Sequence, residues 1–330
     1  MKQKKTHLVV SFVALAALVG FVALVARTGY GRAQTEAQAT AARPLALAPE
    51  RRADESAPAA PAEKDAHAHV HADEKGASLF AAAAARNLLL KYELSWAFGG
   101  KQQRGWHLYT PLISRMIAME GGASAGDFAE ALSLWQKRSR LQPSGVLDGE
   151  TLYRMVSEWQ GARLKHKAHA RPEELLLAPA TDFYDPTRPE GLRHVERETY
   201  AAYKRMVAAA AADPTSGLRL TAAGDIAPAE LFLKIVSAHR SPEYQARLRA
   251  QSPNSGRAGL AVNSPHFTGR ALDLYVGGEP VETRDSNRAI QVQTPAYRWL
   301  VRNAERFGFR PYYYEPWHWE YVGAAAGAAK

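Results

Sequence analysis

Residues 264–276 read SPHFTGRALDLYV, and this stretch decides the fold of the C-terminal part of the chain. A polar segment that contains His266 leads through Gly269 into a run in which small or polar residues alternate with aliphatic ones. Such alternation predicts a strand that presents Asp273 to a cleft and its aliphatic residues to a core. Because glycine adopts conformations that return the chain on itself, we expect His266 to lie near Asp273.

A second segment, EPWHWEY, begins at Glu315 and carries His318 three residues later. In a regular strand these two side chains would face opposite sides. Pro316 cannot donate to the ladder of hydrogen bonds, so it favours an irregular strand in which both side chains reach one site. The neighbouring Trp317 and Trp319 are expected to form an apolar wall that limits solvent around that site.

Any metal in this protein must be held by histidine and carboxylate groups, because the chain contains no cysteine. His266, Asp273 and His318 supply two imidazoles and one carboxylate and leave a fourth position open, which suits a catalytic zinc ion. Glu315 would then be the base that activates water. Each residue alone also has an ordinary structural use, such as a buried hydrogen bond. The conjunction of the segments in one domain favours the metal site.

Mixed elements surround these segments and predict an α+β fold, because strands and helices do not alternate regularly. The patterns predict helices over 190–212, 242–250 and 295–307, and strands over 231–238 and 271–276.

Upstream, apolar residues at three- and four-residue spacings predict a helical module over 78–165. Within it, residues 128–138 read FAEALSLWQKR and residues 145–152 read GVLDGETL. These signals predict one helix, a turn that contains glycine, and a second helix capped near Thr151.

The landmarks Trp135, Gln136, Leu141 and the turn that precedes Thr151 resemble those of the small three-helix peptidoglycan-binding domain. The chain departs from that pattern at Arg140, where the domain usually has glycine. The resemblance implies that the module helps to attach the protein to the cell wall. A generic helical hairpin with the same residues in its core is the alternative.

The N-terminus carries an export signal, in which lysines at positions 2, 4 and 5 precede an apolar run over 8–26. That run is long enough for a membrane span, so residues 1–33 are expected to be a signal anchor, or else a cleaved signal peptide. Residues 34–77 are rich in alanine, proline and charged groups and predict a disordered linker. The net charge of +9 suits an anionic partner, but the basic residues are scattered and the chain is exported, so we expect no nucleic acid.

The C-terminal motifs resemble those of the VanY-type zinc D-alanyl-D-alanine carboxypeptidases. The pattern Ser-x-His-x-x-Gly-x-Ala-x-Asp runs from Ser264 to Asp273, and Glu-x-x-His runs from Glu315 to His318. The resemblance implies a hedgehog-like peptidase fold with an antiparallel sheet and flanking helices, preceded by a small all-α domain. It also implies that Zn²⁺ is bound by His266, Asp273 and His318, that Glu315 is the catalytic base, that Arg240 polarises the scissile carbonyl, and that Ser264 and Gln245 contact the substrate.

By this resemblance, the protein is expected to remove the terminal D-Ala from peptidoglycan stem peptides in the cell envelope. Its catalytic domain would lie in the periplasm or extracytoplasmic space, tethered to the cytoplasmic membrane. An endopeptidase or L,D-carboxypeptidase with the same zinc site, or a non-catalytic wall-binding protein, are the alternatives. The predicted organisation is an anchor over 1–33, a linker over 34–77, a helical domain over 78–165, a linker over 166–188, a peptidase domain over 189–322 and a tail over 323–330.

Overall fold

Helices dominate the N-terminal part of the described chain, as the apolar spacing predicts. The computed structural model describes residues 67–119, 123–165, 168–251 and 260–323. The helices of this part are α1 (His67–Glu93), α2 (Thr110–Met116), α3 (Ala125–Arg138) and α4 (Gly149–Gly161). The predicted cap of the last helix is confirmed, because the Asp148 side chain accepts a hydrogen bond from the Thr151 backbone.

The predicted all-α character of this part is not confirmed, because a β-hairpin lies between α1 and α2. Strands β1 (Ser95–Phe98) and β2 (Lys101–Arg104) pair antiparallel. They are joined by Gly99 and Gly100, both of which have positive φ angles. A glycine pair favours a two-residue hairpin turn, so the sequence carried a signal for this element that the helical interpretation missed.

Helix α1 also begins inside the segment predicted to be a disordered linker over 34–77. An alanine-rich stretch over 81–85 lies within this helix, and alanine has the highest intrinsic helix propensity. The remainder of that predicted linker and the predicted anchor over 1–33 lie outside the described residues. Among the residues that the structure describes, no helix has the length and apolar character required to cross a membrane.

The segment predicted as a second linker, over 166–188, contains ordered structure in its described part. Strand β3 (Leu175–Leu177) pairs antiparallel with β4 (His194–Glu196), and Phe183 is fully buried. Helix α5 (Arg197–Ala212) follows β4 directly. The predicted helix over 190–212 is therefore correct only from Arg197, because β4 precedes it.

The C-terminal part is built on an antiparallel sheet of mixed strand lengths with helices around it, which agrees with the predicted α+β class. Its elements in chain order are β5 (Ile235–Ser237), α6 (Pro242–Gln251), β6 (Ala271–Leu274), α7 (Asp285–Gln291), α8 (Pro295–Asn303), β7 (Phe309–Tyr312) and β8 (Glu315–Tyr321). The spatial order of the strands is β5-β6-β8-β7, so β6 and β8 are central. All residues of these two strands are buried.

The helical part and the C-terminal part share one hydrophobic core in the described chain. Trp96 of β1 packs against Tyr313, with ring centroids 6.4 Å apart. Arg288 of α7 donates a hydrogen bond of 2.6 Å to the Tyr109 hydroxyl. The domain boundaries at 165 and 189 stay predictions. The two parts pack against each other and are not separated by an extended linker.

Candidate metal centre

The centre of the sheet brings two of the predicted ligands face to face. Asp273 of β6 and His318 of β8 are directly opposed in the antiparallel register. Residues opposed in this way have Cβ atoms about 5 Å apart, so their side chains meet. The Asp273 Oδ1 atom lies 2.9 Å from Nδ1 of His318.

The irregular ladder predicted from Pro316 is present. On the partner strand, Pro311 pairs with Trp319, whereas the next residue, Tyr312, pairs with Glu315. The register therefore shifts between these two pairs, and three residues of β8 bulge opposite one step of β7. Such a bulge re-aims side chains, which removes the strict alternation that would separate Glu315 from the metal-ligand candidates.

His266 reaches the same place from a short 3-10 turn, Pro265–Thr268, that precedes β6. The Ser264 side chain accepts a hydrogen bond from the His266 backbone and so begins the turn. Gly269 ends it with a φ of 65°, as predicted. A Cβ atom at Gly269 would lie 3.0 Å from the Glu196 backbone nitrogen, so both the conformation and the close approach require glycine.

The three predicted ligands converge. One nitrogen or oxygen atom from each of His266, Asp273 and His318 lies within 4.8 Å of the other two. His266 Nε2 lies 3.3 Å from Asp273 Oδ1. All three side chains are buried. The structure thus brings together the whole ligand set proposed from the sequence.

Hydrogen bonds on the far side of each imidazole select the nitrogen that faces this cluster. His266 Nδ1 lies 2.7 Å from the Ala238 carbonyl oxygen, so Nδ1 carries the proton and Nε2 is left with its lone pair. His318 Nε2 lies 3.1 Å from a Glu320 carboxylate oxygen, which leaves Nδ1 directed at Asp273. Imidazole nitrogens that are supported from behind by a carbonyl or carboxylate are typical metal ligands once the ion has displaced any proton on the nitrogen that binds it, so these residues fit a zinc ion.

The surroundings of the cluster shift the pKa values of the two histidines in opposite directions. Burial, together with the positive charge of Arg240, lowers the pKa of His266 to about 4, so this imidazole is neutral at neutral pH. Burial also opposes the charge on His318, but hydrogen bonds to Asp273 and Glu320 outweigh it and raise its pKa to about 9. Burial likewise opposes ionisation of Asp273, but His266 and Arg240 hold its pKa well below the ordinary value.

Glu315, the predicted base, is buried and its Oε1 atom has no hydrogen-bond partner. Burial raises its pKa to about 7, with Asp273 adding to the increase and His318 opposing it. A carboxylate that takes up and releases a proton near neutral pH is suited to general acid and base catalysis. An unpartnered carboxylate oxygen close to the candidate metal ligands is free to interact with water or substrate, which suits a functional role.

The Arg240 guanidinium is nearly buried and holds the second oxygen of Asp273. Its Nη2 atom lies 2.5 Å from Asp273 Oδ2, and Nε donates to the Ser237 hydroxyl at 2.9 Å. Gln245 accepts from Arg240 at 3.4 Å and donates to the Ala261 carbonyl at 3.0 Å. Ser264 and Gln245, predicted as substrate contacts, are both buried; the Ser264 hydroxyl accepts from the His266 backbone, and Gln245 bonds to Arg240 and Ala261.

Sequence reasoning missed two residues around His318. Glu320 is fully buried and bonds to the His318 ring, and the two residues are one strand period apart, a signal that was available in the sequence. Tyr312 lies beside His318, with ring centroids 6.0 Å apart in an edge-on arrangement. The apolar wall expected from Trp317 and Trp319 stays a prediction: both rings are buried, and Trp319 packs against Tyr297.

Comparison with known proteins agrees with this geometry. Residues 192–324 match the family model VanY, described as D-alanyl-D-alanine carboxypeptidase. The match contains every residue of the proposed centre and supports the VanY family for the C-terminal part. A comparison with curated proteins found no match.

Proposed function

We propose that the protein is a zinc-dependent D-alanyl-D-alanine carboxypeptidase that removes the terminal D-Ala of peptidoglycan stem peptides. One observation carries the proposal. Three buried ligand atoms converge near a buried carboxylate, Glu315, whose Oε1 atom has no hydrogen-bond partner within the described protein. This arrangement lies inside the segment that matches the carboxypeptidase family.

The zinc ion would be held by His266 Nε2, His318 Nδ1 and a carboxylate oxygen of Asp273. When bound there, zinc supplies Lewis-acid chemistry, which polarises a carbonyl oxygen and makes water more acidic. Arg240 keeps one Asp273 oxygen in place, so the other is left for the ion. The same guanidinium adds positive charge where the scissile carbonyl would develop negative charge.

Glu315 performs the proton transfers in this proposal. With its pKa near 7, the carboxylate accepts a proton from the attacking water and then donates it to the leaving amine of D-Ala. Burial serves both steps, because it raises the pKa of Glu315. The carboxylate is then a stronger base towards water, and the carboxyl group can still donate its proton near neutral pH.

The proposed place of action is the cell envelope, with the catalytic part in the periplasm or extracytoplasmic space and the N-terminus as a tether to the cytoplasmic membrane. The apolar run over 8–26 behind a basic end supports this, although it lies outside the described residues. For wall attachment, the support is the helix-turn-helix formed by α3 and α4, which follows the landmarks of the peptidoglycan-binding domain. Leu134 and Tyr153 on these helices are exposed and available for contact.

The test is mass spectrometry of a pentapeptide muropeptide ending in D-Ala-D-Ala after incubation with the purified full-length chain and zinc. We expect the loss of one alanine. An internal cut would replace the carboxypeptidase by an endopeptidase with the same zinc site. An intact peptide with zinc bound would overturn hydrolysis and favour a wall-binding protein, which sedimentation with peptidoglycan sacculi would then detect.

Two variants separate the metal from the base. We expect Glu315→Ala to keep zinc and lose turnover, whereas His318→Ala should lose both. Zinc content measured on the same samples distinguishes these cases. Undiminished hydrolysis by the Glu315 variant would remove the assigned base.

A further inference from the structure

A carboxylate behind His318 connects the candidate metal centre to the helical part of the chain. Glu320 is fully buried and accepts from His318 Nε2 at 3.1 Å. Its side chain also forms an ion pair with Arg163. The second Glu320 oxygen accepts a hydrogen bond of 2.9 Å from the Leu164 backbone nitrogen. Both Glu320 oxygens are therefore held by residues just after helix α4.

Arg163 is itself fixed on two sides. The Gln160 side chain in the last turn of α4 accepts from Arg163 Nη1 at 2.9 Å. The Arg163 guanidinium lies over the Tyr312 ring, 4.1 Å from its centroid, and that ring in turn lies beside the His318 imidazole. Arg163 thus reaches His318 by two routes, one through the Glu320 carboxylate and one through the Tyr312 ring.

The direction of these contacts matters for the choice of nitrogen on His318. Because Glu320 accepts the Nε2 proton, Nδ1 is the nitrogen directed at Asp273, and its lone pair would be offered to an ion that displaces the Nδ1 proton. Without a fixed carboxylate behind it, the imidazole would lose the partner that sets both its tautomer and its rotation about the ring axis.

We infer that Arg163 and Leu164 are part of the metal centre, in that they hold Glu320 so that His318 offers Nδ1 to the ion. Arg163 and Glu320 are positioning residues, since they act on the metal through His318. On this view the helical module completes the peptidase site. The residues that follow α4 are needed for metal binding even if the module does not bind the cell wall. The inference rests on the proposed zinc function and deepens it.

A purely structural ion pair would behave differently from a positioning pair. Arg310 offers a control close to the site, because it lies opposite Glu320 in the register of β7 and β8, but its guanidinium forms an ion pair with Glu305. Loss of either arginine should lower the melting temperature. Only the loss of Arg163 should change how the protein binds a metal.

The experiment measures the zinc affinity of the full-length chain by competition with a chelator, for the unmutated protein and for Arg163→Ala, Glu320→Gln and Arg310→Ala. Removal of a residue that supports a metal ligand weakens metal binding about 10- to 100-fold, so we expect a loss of that size for Arg163→Ala. Glu320→Gln keeps an oxygen acceptor for Nε2, so its loss should be smaller. Arg163→Lys, which keeps the charge, should restore part of the affinity.

A second readout is the visible absorption of the cobalt-substituted protein, which reports the ligand geometry. We expect it to change in Arg163→Ala and to stay unchanged in Arg310→Ala. Equal zinc affinity and equal cobalt spectra in all the variants would overturn the inference. If Glu320→Gln does not fold, Arg163→Ala, whose side chain lies at the edge of the core, still decides the question.

The failure of this inference differs from failure of the proposed function. Hydrolysis with unchanged zinc affinity in Arg163→Ala would refute the positioning role alone. Zinc binding without hydrolysis would refute the reaction alone, and the comparison of affinities would still stand. An unmutated chain that binds no zinc would refute both.

Discussion

Two of the buried polar centres in the described chain, one in the helical part and one in the sheet, differ in how their hydrogen bonds are completed. In the helical part, the Gln136 amide donates to Val146 O and to the Thr151 hydroxyl, each at 2.9 Å, and accepts from Gly145 N at 2.9 Å. Asn87 adds two more bonds to the same turn. Every polar group of this centre has a partner in the protein.

In the sheet, three ligand atoms converge on one point and the neighbouring Glu315 oxygen has no partner. A buried polar group without a partner lowers the free energy of unfolding. Such a group is therefore expected where it has a functional role that outweighs the loss of stability. The comparison teaches that burial of polar groups does not by itself indicate a functional site. The unsatisfied, convergent groups indicate it, and the satisfied ones hold the turn between two helices.

The largest effect should follow from removal of the Glu315 base. Glu315→Gln keeps the size of the side chain but cannot accept a proton, so we expect kcat on a D-Ala-D-Ala muropeptide to fall about 10²- to 10⁴-fold. Zinc content should be unchanged, because Glu315 is not a proposed ligand. A loss of zinc together with activity would instead place Glu315 among the ligands. Its role as an unpartnered base, which distinguishes the sheet centre from the helical one, would then be wrong.

The next effect concerns pH and the stability of the metal-free protein. Since the Glu315 pKa is about 7 when folded against an ordinary value of 4.5, the folded chain holds a proton that the unfolded chain loses as pH rises from 4.5 to 7. The free energy of unfolding therefore falls across this window, by up to about 3 kcal/mol from this group.

Glu315→Gln should remove that dependence. Urea unfolding of chelator-treated samples at pH 4.5 and pH 7.5 measures it, and we expect the variant to be the more stable one only at the higher pH. If the free energy of unfolding changes equally with pH in the two proteins, the pKa of Glu315 is not raised in the folded state.

The satisfied centre should respond in stability and not in catalysis. Gln136→Ala leaves the Gly145 N–H and the Val146 carbonyl without their partner, which we expect to cost about 2 kcal/mol of unfolding free energy. Thermal unfolding measures this, while kcat at a temperature where the variant is folded should equal that of the unmutated chain. A lower kcat would mean that the helical turn is coupled to the reaction beyond the Arg163 contact.

The smallest effect is expected at Arg140, an exposed residue with a φ of 59°. This left-handed conformation costs a residue with a side chain about 1 kcal/mol, and glycine adopts it freely. Arg140→Gly should therefore raise the free energy of unfolding by up to that amount, with zinc affinity unchanged. Lys137→Gly on the neighbouring helix should lower stability instead, because it lies within α3.

Local patterns were sufficient to predict much of the sheet that carries the candidate metal centre. The alternation around Asp273, the turn at Gly269 and the irregular strand after Pro316 are all present, because each depends on residues within a few positions of one another. The β1–β2 hairpin was missed although Gly99-Gly100 signalled it, since the long apolar spacings on either side favoured a continuous helical interpretation. The strand β4 was missed because it is short and is stabilised by its partner β3.

By itself, the sequence determined the chemical types of the site: two imidazoles, one carboxylate, a base and a guanidinium, each carried on a short motif whose local conformation the residues dictate. Only the tertiary structure decided which nitrogen of His318 faces Asp273, because that depends on Glu320 and on Arg163, which lies 157 positions away from it. Contacts between residues so distant leave no periodicity or spacing to detect. They arise because the helical part and the sheet bury their apolar faces in one core, which then fixes the polar groups at their boundary.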